Sequence, residues 1–236
     1  MKNLLLLPAM LLITALVHSQ LYVTPNGTTD SYVYVNDEIL YVEDDVNLVE
    51  NNAGTTQASI YLRERAQLIQ GSGSTANSGT GYISVFQDSH ADAYDYNFWS
   101  SPVGVPSSTG NRNFGILRVY DSINNYTNST VTTTTSAFNG VSSPLDISRR
   151  WLYINAASYG GWFRINEGED VPPGYGFTMK GTDVTVHADP INEPQNQLYD
   201  FRGRPHNGNI AVEALNATAT IAGKKEQLRF ISFFKH

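Results

Sequence analysis

Residues 31–43, SYVYVNDEILYVE, echo residues 58–70, ASIYLRERAQLIQ, at an offset of 27 positions (33 against 60). Val33 matches Ile60, Tyr34 matches Tyr61 and Val35 matches Leu62. A charged or polar corner follows in each copy, Asn36-Asp37-Glu38 in one and Arg63-Glu64-Arg65 in the other. Beyond the corner Ile39 falls opposite Ala66, and Tyr41 opposite Leu68. Alternate side chains of a strand share a face. On that count Val33, Val35, Ile39 and Tyr41 would stack over Ile60, Leu62, Ala66 and Leu68. Neither stretch can bury such a face alone, which is the condition under which turns of a β-solenoid stack. Two ordinary hairpins of similar composition would produce the same text.

The rest of the chain is also strand text. No run places apolar residues at i, i+3, i+4 and i+7 with both a cap and a stop, as an amphipathic helix requires. Short runs rich in Val, Ile, Tyr and Thr recur instead, separated by Asn, Asp, Gly, Ser and Pro. The expected fold class is all-β: a short β-solenoid-like region over 20–90, then a β-sandwich-like region over 91–222. In the second region GILRVY (115–120), RWLYIN (150–155), GWFRIN (161–166), YGFTMK (175–180) and VTVHA (184–188) are more widely spaced. Long polar loops separate them, as in a decorated sandwich. YDFRGRPHNGNIAVEA (199–214) reads as a hairpin turning at Asn207-Gly208, with Ile210 and Val212 leading the return strand. The last segment, 223–236, is an atypical basic and aromatic tail carrying Lys224, Lys225, Arg229, Phe233, Phe234 and Lys235.

The chain begins MKNLLLLPAMLLITALVHSQ. One basic residue, a short apolar run and small residues at Val17 and Ser19 make an export signal over residues 1–19, cut between Ser19 and Gln20. The apolar run is too short to span a bilayer, and no later segment could. The expected location is therefore secreted or cell-surface. The formal net charge is −7, and loss of Lys2 with the leader makes it one unit more acidic. Such a balance argues against nucleic acid and anionic lipid as partners. There is no cysteine; a chain of this length can bury a core without disulfides.

Motifs that carry chemistry are sparse. Ser100 and Ser101 lie outside any G-x-S-x-G elbow, and His90, His187 and His206 stand in no context that implies a relay with a serine. Asp88, His90, Asp92 and Asp95 crowd one segment, and Glu167, Glu169 and Asp170 another. Such local clusters are more often solvated loops than the opposed carboxyls of a glycosidase or an oxygen-ligand calcium site. Zinc signatures and phosphate-binding loops are missing; GSGSTANSG has no lysine and no following helix. No catalytic residue, metal ligand or cofactor is assigned. Asn125, Asn128 and Asn216 match the N-glycan acceptor pattern.

Aromatic residues are the best candidates for binding. Trp99, Trp151 and Trp162, with Tyr159 and Tyr175, could hold sugar rings on flat faces or fill a core. Trp151 and Trp162 sit inside alternating strands, which favours core. Trp99 adjoins Ser100, Ser101 and Pro102 and could lie at a rim, making it the one ligand-binding candidate.

The ordered segments LRERAQLIQG, DYNFWSSPVG, PPGYGFTMKG and YDFRGRPHNG resemble large secreted or cell-surface proteins of Bacteroidota, especially flavobacteria. Those proteins often carry a C-terminal type IX secretion sorting domain. The resemblance covers most of residues 31–214 and implies a mainly β surface protein with no assigned activity and no catalytic residues to carry over. Such proteins would continue past the FRGRPHNG segment; here ATIAG runs into KKEQLRFISFFKH, with no sorting domain, which suggests a truncated copy. The functional expectation is an exported, non-catalytic module with a structural or adhesin-like role. The alternatives are a glycan-binding module using exposed aromatics, and a polysaccharide lyase or hydrolase. Extracellular glycans or other surface proteins are the expected partners.

Overall fold

The computed structural model describes residues 20–52, 57–71, 77–106, 109–122, 127–155, 161–183 and 197–212, and the backbone of 220–221 and 224–225. Ser19, Tyr159, His187, Asn125, Asn216, the VTVHA segment and most of the basic tail lie outside the described residues. Gln20 lies within them and is exposed. Regular structure among the described residues consists of β-strands and two 3-10 turns, so the protein is all-β. No described helix is long and apolar enough to cross a membrane.

The first strands are β1 (Leu21–Val23), β2 (Val33–Asn36), β3 (Ile39–Val42), β4 (Val46–Leu48), β5 (Ile60–Arg63), β6 (Gln67–Gln70) and β7 (Ile83–Ser89). They wind as stacked turns. β2 lies parallel to β5 and β5 parallel to β7, while β3 pairs with β6 and β1 with β4, also in parallel. The echo is therefore stacking and not two hairpins: Val33 pairs with Ile60, Tyr34 with Tyr61 and Val35 with Leu62. At matching places in the two copies, Asp37 and Glu64 adopt left-handed backbone (φ 58° and 54°) and turn the chain out of the strand.

The register beyond the corner differs from the linear reading. β3 resumes at Ile39 but β6 only at Gln67, so the second corner holds one more residue. Ile39 consequently pairs with Gln67 and Tyr41 with Ile69, in place of Ala66 and Leu68. The inward set changes too. Ile39 and Tyr41 are 61% and 58% exposed, whereas Val42 is buried and Leu40 packs on the core. A left-handed corner resets the period-two count that the sequence pattern carried straight through. Close stacking also demands glycine: at Gly79 (φ 92°) a Cβ would run into the Leu48 carbonyl oxygen of the turn beside it.

The later strands are β8 (Tyr96–Ser100), β9 (Val103–Gly104), β10 (Phe114–Gly115), β11 (Val119–Ser122), β12 (Ser129–Val131), β13 (Thr133–Thr135) and β14 (Gly140–Ser142). After them come β15 (Leu145–Ser148), β16 (Tyr153–Asn155), β17 (Trp162–Arg164), β18 (Asp170–Val171), β19 (Gly176–Lys180), β20 (Thr182–Asp183) and β21 (Gln197–Pro205). A seven-stranded sheet runs β12-β11-β21-β7-β5-β2, with β9 pairing the far end of β21. It takes strands from both sides of residue 90. Two four-stranded sheets run β17-β16-β19-β8 and β13-β15-β14-β20.

β21 has two different sides. Tyr199 and Phe201 point into the apolar core, where Phe201 stacks 5.6 Å from Phe114 and lies 6.5 Å from Phe177. From the inner side of the β17-β16-β19-β8 sheet, Trp99 meets both rings and Phe177 meets Phe201, so the two sheets face each other. Asp200 and Arg202 point the opposite way and are fully buried. Arg202 Nε donates to Asp200 Oδ2 at 2.6 Å; Ser84 and Ser129 donate their hydroxyls to the same carboxylate, each at 2.6 Å. Arg63 joins through Ser84 Oγ at 2.8 Å and lies 3.4 Å above the Phe86 ring. Burial by itself would raise the Asp200 pKa. The Arg202 and Arg63 charges, with the Ser129 and Ser84 hydroxyls, outweigh it and hold the carboxyl below its ordinary range.

The hairpin expected at Asn207-Gly208 does not form: residues 206–212 are not in a strand. Gly208 has a positive φ of 68°, but Asn207 does not join it, so a type I′ turn is excluded. Asn207 docks elsewhere. Its backbone N–H and carbonyl bond both side-chain ends of Asn111 at 2.8 Å, and its Nδ2 donates to Asp45 Oδ1 at 3.1 Å. These bonds tie the end of β21 to the stacked turns.

Replacing Asp200 with Asn would leave two buried guanidinium groups without their counter-charge. Urea denaturation of Asp200→Asn is expected to show a loss of about 3–5 kcal/mol at neutral pH. Because the folded carboxyl titrates below the unfolded one, its stabilisation is present at neutral pH and fades as pH falls through the folded value. Acidification should therefore narrow the gap between the two proteins; a gap that widens in acid would contradict the assignment.

Candidate functional site

Strand alternation builds an aromatic face on the outer side of the β17-β16-β19-β8 sheet. Trp162 pairs with Asn155, Asn155 with Gly176, and Gly176 with Ser100, which makes one row across the four strands. The next row is Arg164, Tyr153, Thr178 and Phe98; the last pairs Lys180 with Tyr96. Phe163, Ile154, Phe177 and Met179 occupy the alternate positions and are buried. Phe98 is 69% and Trp162 38% exposed, and their rings meet edge-on 5.8 Å apart. The ring contact spans the row position held by Gly176, where an added Cβ would find nothing nearer than the Trp99 oxygen at 3.6 Å.

The face continues past the strands. Tyr96 meets Trp151 edge-on at 6.1 Å, and Trp151 lies 6.3 Å from Phe138, which is 65% exposed. Trp151 sits in the 3-10 turn Arg149–Trp151 and is oriented by its indole N–H, which donates to the Phe138 carbonyl at 2.7 Å. Partial burial, and the nearby Tyr153 phenol, raise the Tyr96 pKa above its usual value, so Tyr96 keeps its proton and its donor capacity near neutral pH. Phe138, Trp151, Tyr96, Phe98 and Trp162 thus form a strip one ring wide. Hydroxyl, amide and cationic side chains border it. Apolar ring faces with hydrogen-bonding groups beside them are what a pyranose requires, since its C–H face is apolar and its rim carries hydroxyls.

Trp99 is not on this face. It is the odd neighbour in the alternation of β8: Tyr96, Phe98 and Ser100 point outward, while Asn97 and Trp99 point inward. Its ring packs edge-on against Phe201 at 5.4 Å and Tyr199 at 6.0 Å, with its indole N–H buried. Trp162, read from its strand setting as core, lies on the outer face. Tyr175 packs partly buried against the core. The segment DYNFWSSPVG held the signal for this arrangement in its period of two, which places Phe98 and Trp99 on opposite sides.

Several other sequence candidates make bonds of their own. Ser101 is buried and its hydroxyl donates to the Val103 carbonyl at 2.8 Å; Ser100 is exposed and reaches the Tyr175 carbonyl at 3.4 Å. His206 bonds the Arg112 carbonyl through Nε2 at 2.9 Å. Asp92 accepts the backbone N–H of Tyr94, Glu167 pairs with Arg149 at 3.2 Å, and Asp170 accepts from Asn113. Among the described residues no group of three His, Asp or Glu side chains is placed to hold a metal ion.

Fold and face together define an all-β protein with an exposed aromatic strip on one of its sheets. The chain belongs to a family described as a domain of unknown function (DUF8693), which matches residues 13–232. No curated protein and no solved structure matches it.

The two tryptophans on opposite sides of the sheet should respond differently to truncation. Trp99→Ala is expected to lose about 3–5 kcal/mol in urea denaturation by emptying the space beside Phe201. Trp162→Ala should lose no more than about 1 kcal/mol. Equal losses would contradict the placement.

Proposed function

We propose that this chain is an exported, non-catalytic module that adheres to polysaccharide through the outer face of the β17-β16-β19-β8 sheet. The observation that carries the reading is the strip Phe138–Trp151–Tyr96–Phe98–Trp162, with four rings exposed and Trp151 half-buried, in a chain with ample core in which to bury them. Burying aromatic area is favourable, so rings held outward by strand alternation are available to a ligand. Where the strip's rings meet, their planes cross at 42°, 86° and 63°. That corrugation suits a single twisted sugar chain better than the flat side of a crystalline polymer.

The leader-like start supports export, and the stacked parallel turns read as a short β-solenoid that holds the sheet rigid. The individual engagement of the serines, His206 and the acidic groups supports a binding role over a lyase or hydrolase. A surface-adhesive role agrees with the resemblance to secreted flavobacterial proteins, and the candidate ligand contact moves from Trp99 to its neighbours.

A glycan array with the purified protein, followed by affinity electrophoresis on the glycans retained, tests the proposal. Phe98→Ala and Trp162→Ala should each weaken binding roughly tenfold, the equivalent of about 1–1.5 kcal/mol per ring, while Trp99→Phe leaves it unchanged. Binding indifferent to both outward rings, or turnover of the polymer by the protein, would overturn it.

A further inference from the structure

We propose that the glycan taken by this face is a polyanion, a linear chain whose sugars carry carboxylates at regular intervals. This rests on the glycan-binding reading and adds the charge of the ligand. Cations sit against two of the rings, and a third shares a strand face with another. Arg150 lies over Phe138 at 4.6 Å, Lys180 Nζ lies 5.3 Å from the centre of Trp151, and Arg164 stands two residues from Trp162 on the same side of β17.

On the strands of this face the charge runs against the chain as a whole, whose formal net charge is −7. No acidic residue occupies an outward position of β8, β16, β17 or β19. The partners of Lys180 and Arg150 are neutral: Lys180 donates to Asn139 Oδ1 at 2.8 Å, and Arg150 donates through Nε to the Ser136 carbonyl. Ring contact holds the Arg150 and Lys180 heads beside stacking surfaces. A sugar lying on the ring then brings a carboxylate within reach of the cation, and the charge-assisted hydrogen bond is stronger than a neutral one. Ring and cation occur together at two successive rings, Phe138 and Trp151, which matches a ligand that also repeats. Single-stranded nucleic acid offers stacking and negative charge as well, but successive bases stack on open, roughly aligned platforms. Neighbouring rings here cross at 42°, 86° and 63°.

The test is isothermal titration of the full exported chain with four probes: sodium polygalacturonate, alginate, the same galacturonan fully methyl-esterified, and oligothymidylate. At least one of the two charged glycans should bind about tenfold more tightly than the ester, and added salt should erase the difference. The double variant Lys180→Gln, Arg150→Gln should lose that preference yet retain residual binding to the ester. Equal affinity for charged and esterified galacturonan, no binding to either polyuronate, or tighter binding to oligothymidylate would overturn the inference. Trp162→Ala separates it from its parent: equal affinities that still fall in this variant remove the charge claim alone, whereas affinities it leaves untouched remove the aromatic face itself.

Discussion

The carboxylate of Asp200, held by Arg202, Ser84 and Ser129 on one side of β21, is the interaction on which the arrangement of the sheets depends. It connects three strands of the seven-stranded sheet, because Ser84 belongs to β7, Ser129 to β12 and Asp200 to β21. A charge buried this deeply is tolerated only when its partners are fixed in place. Pinning Asp200 outward from the apolar core also decides where its neighbours go. Tyr199 and Phe201 must point the other way, and they become the floor on which the second sheet is laid.

From that floor the aromatic face follows by alternation. Trp99 seats β8 on Tyr199 and Phe201, so the residues flanking it, Phe98 and Ser100, are turned out. Phe177 seats β19 in the same way and turns out Gly176 and Thr178, the small floor between the rings. The candidate site is thus the reverse side of the core. Its rings are positioned by side chains of the core, and shifting the register of β8 by one residue would exchange Phe98 for Trp99.

Much of the fold was legible in the text of the chain. Absence of helical periodicity, turn residues at short intervals, and the match of Val33 to Ile60 lead to an all-β protein with a stacked start, and the observed pairing has that register. What was not legible depends on backbone geometry that residue types do not encode. The extra residue in the second corner, with left-handed Asp37 and Glu64, shifted the pairing beyond it and turned Ile39 and Tyr41 outward. Asn207-Gly208 has the composition of a hairpin turn, yet Asn207 is claimed by Asn111 and Asp45, which are distant in sequence. The aromatic face was half legible. Trp151 and Trp162 stand out in the sequence, but Phe98 is placed outward and Trp99 inward only by the parity that the buried Asn97 sets. The cations over Phe138 and Trp151 come from other strands and turns, so no local pattern revealed them.

The chain has three tryptophans, and the account places them differently: Trp99 in the core, Trp151 and Trp162 on the face. Their indole N–H resonances, followed during titration with a bound glycan, test that placement and its use together. The Trp162 and Trp151 signals should move with the titration while the Trp99 signal stays still. Movement of Trp99 alone, or of none of the three on a glycan that demonstrably binds, would contradict the account.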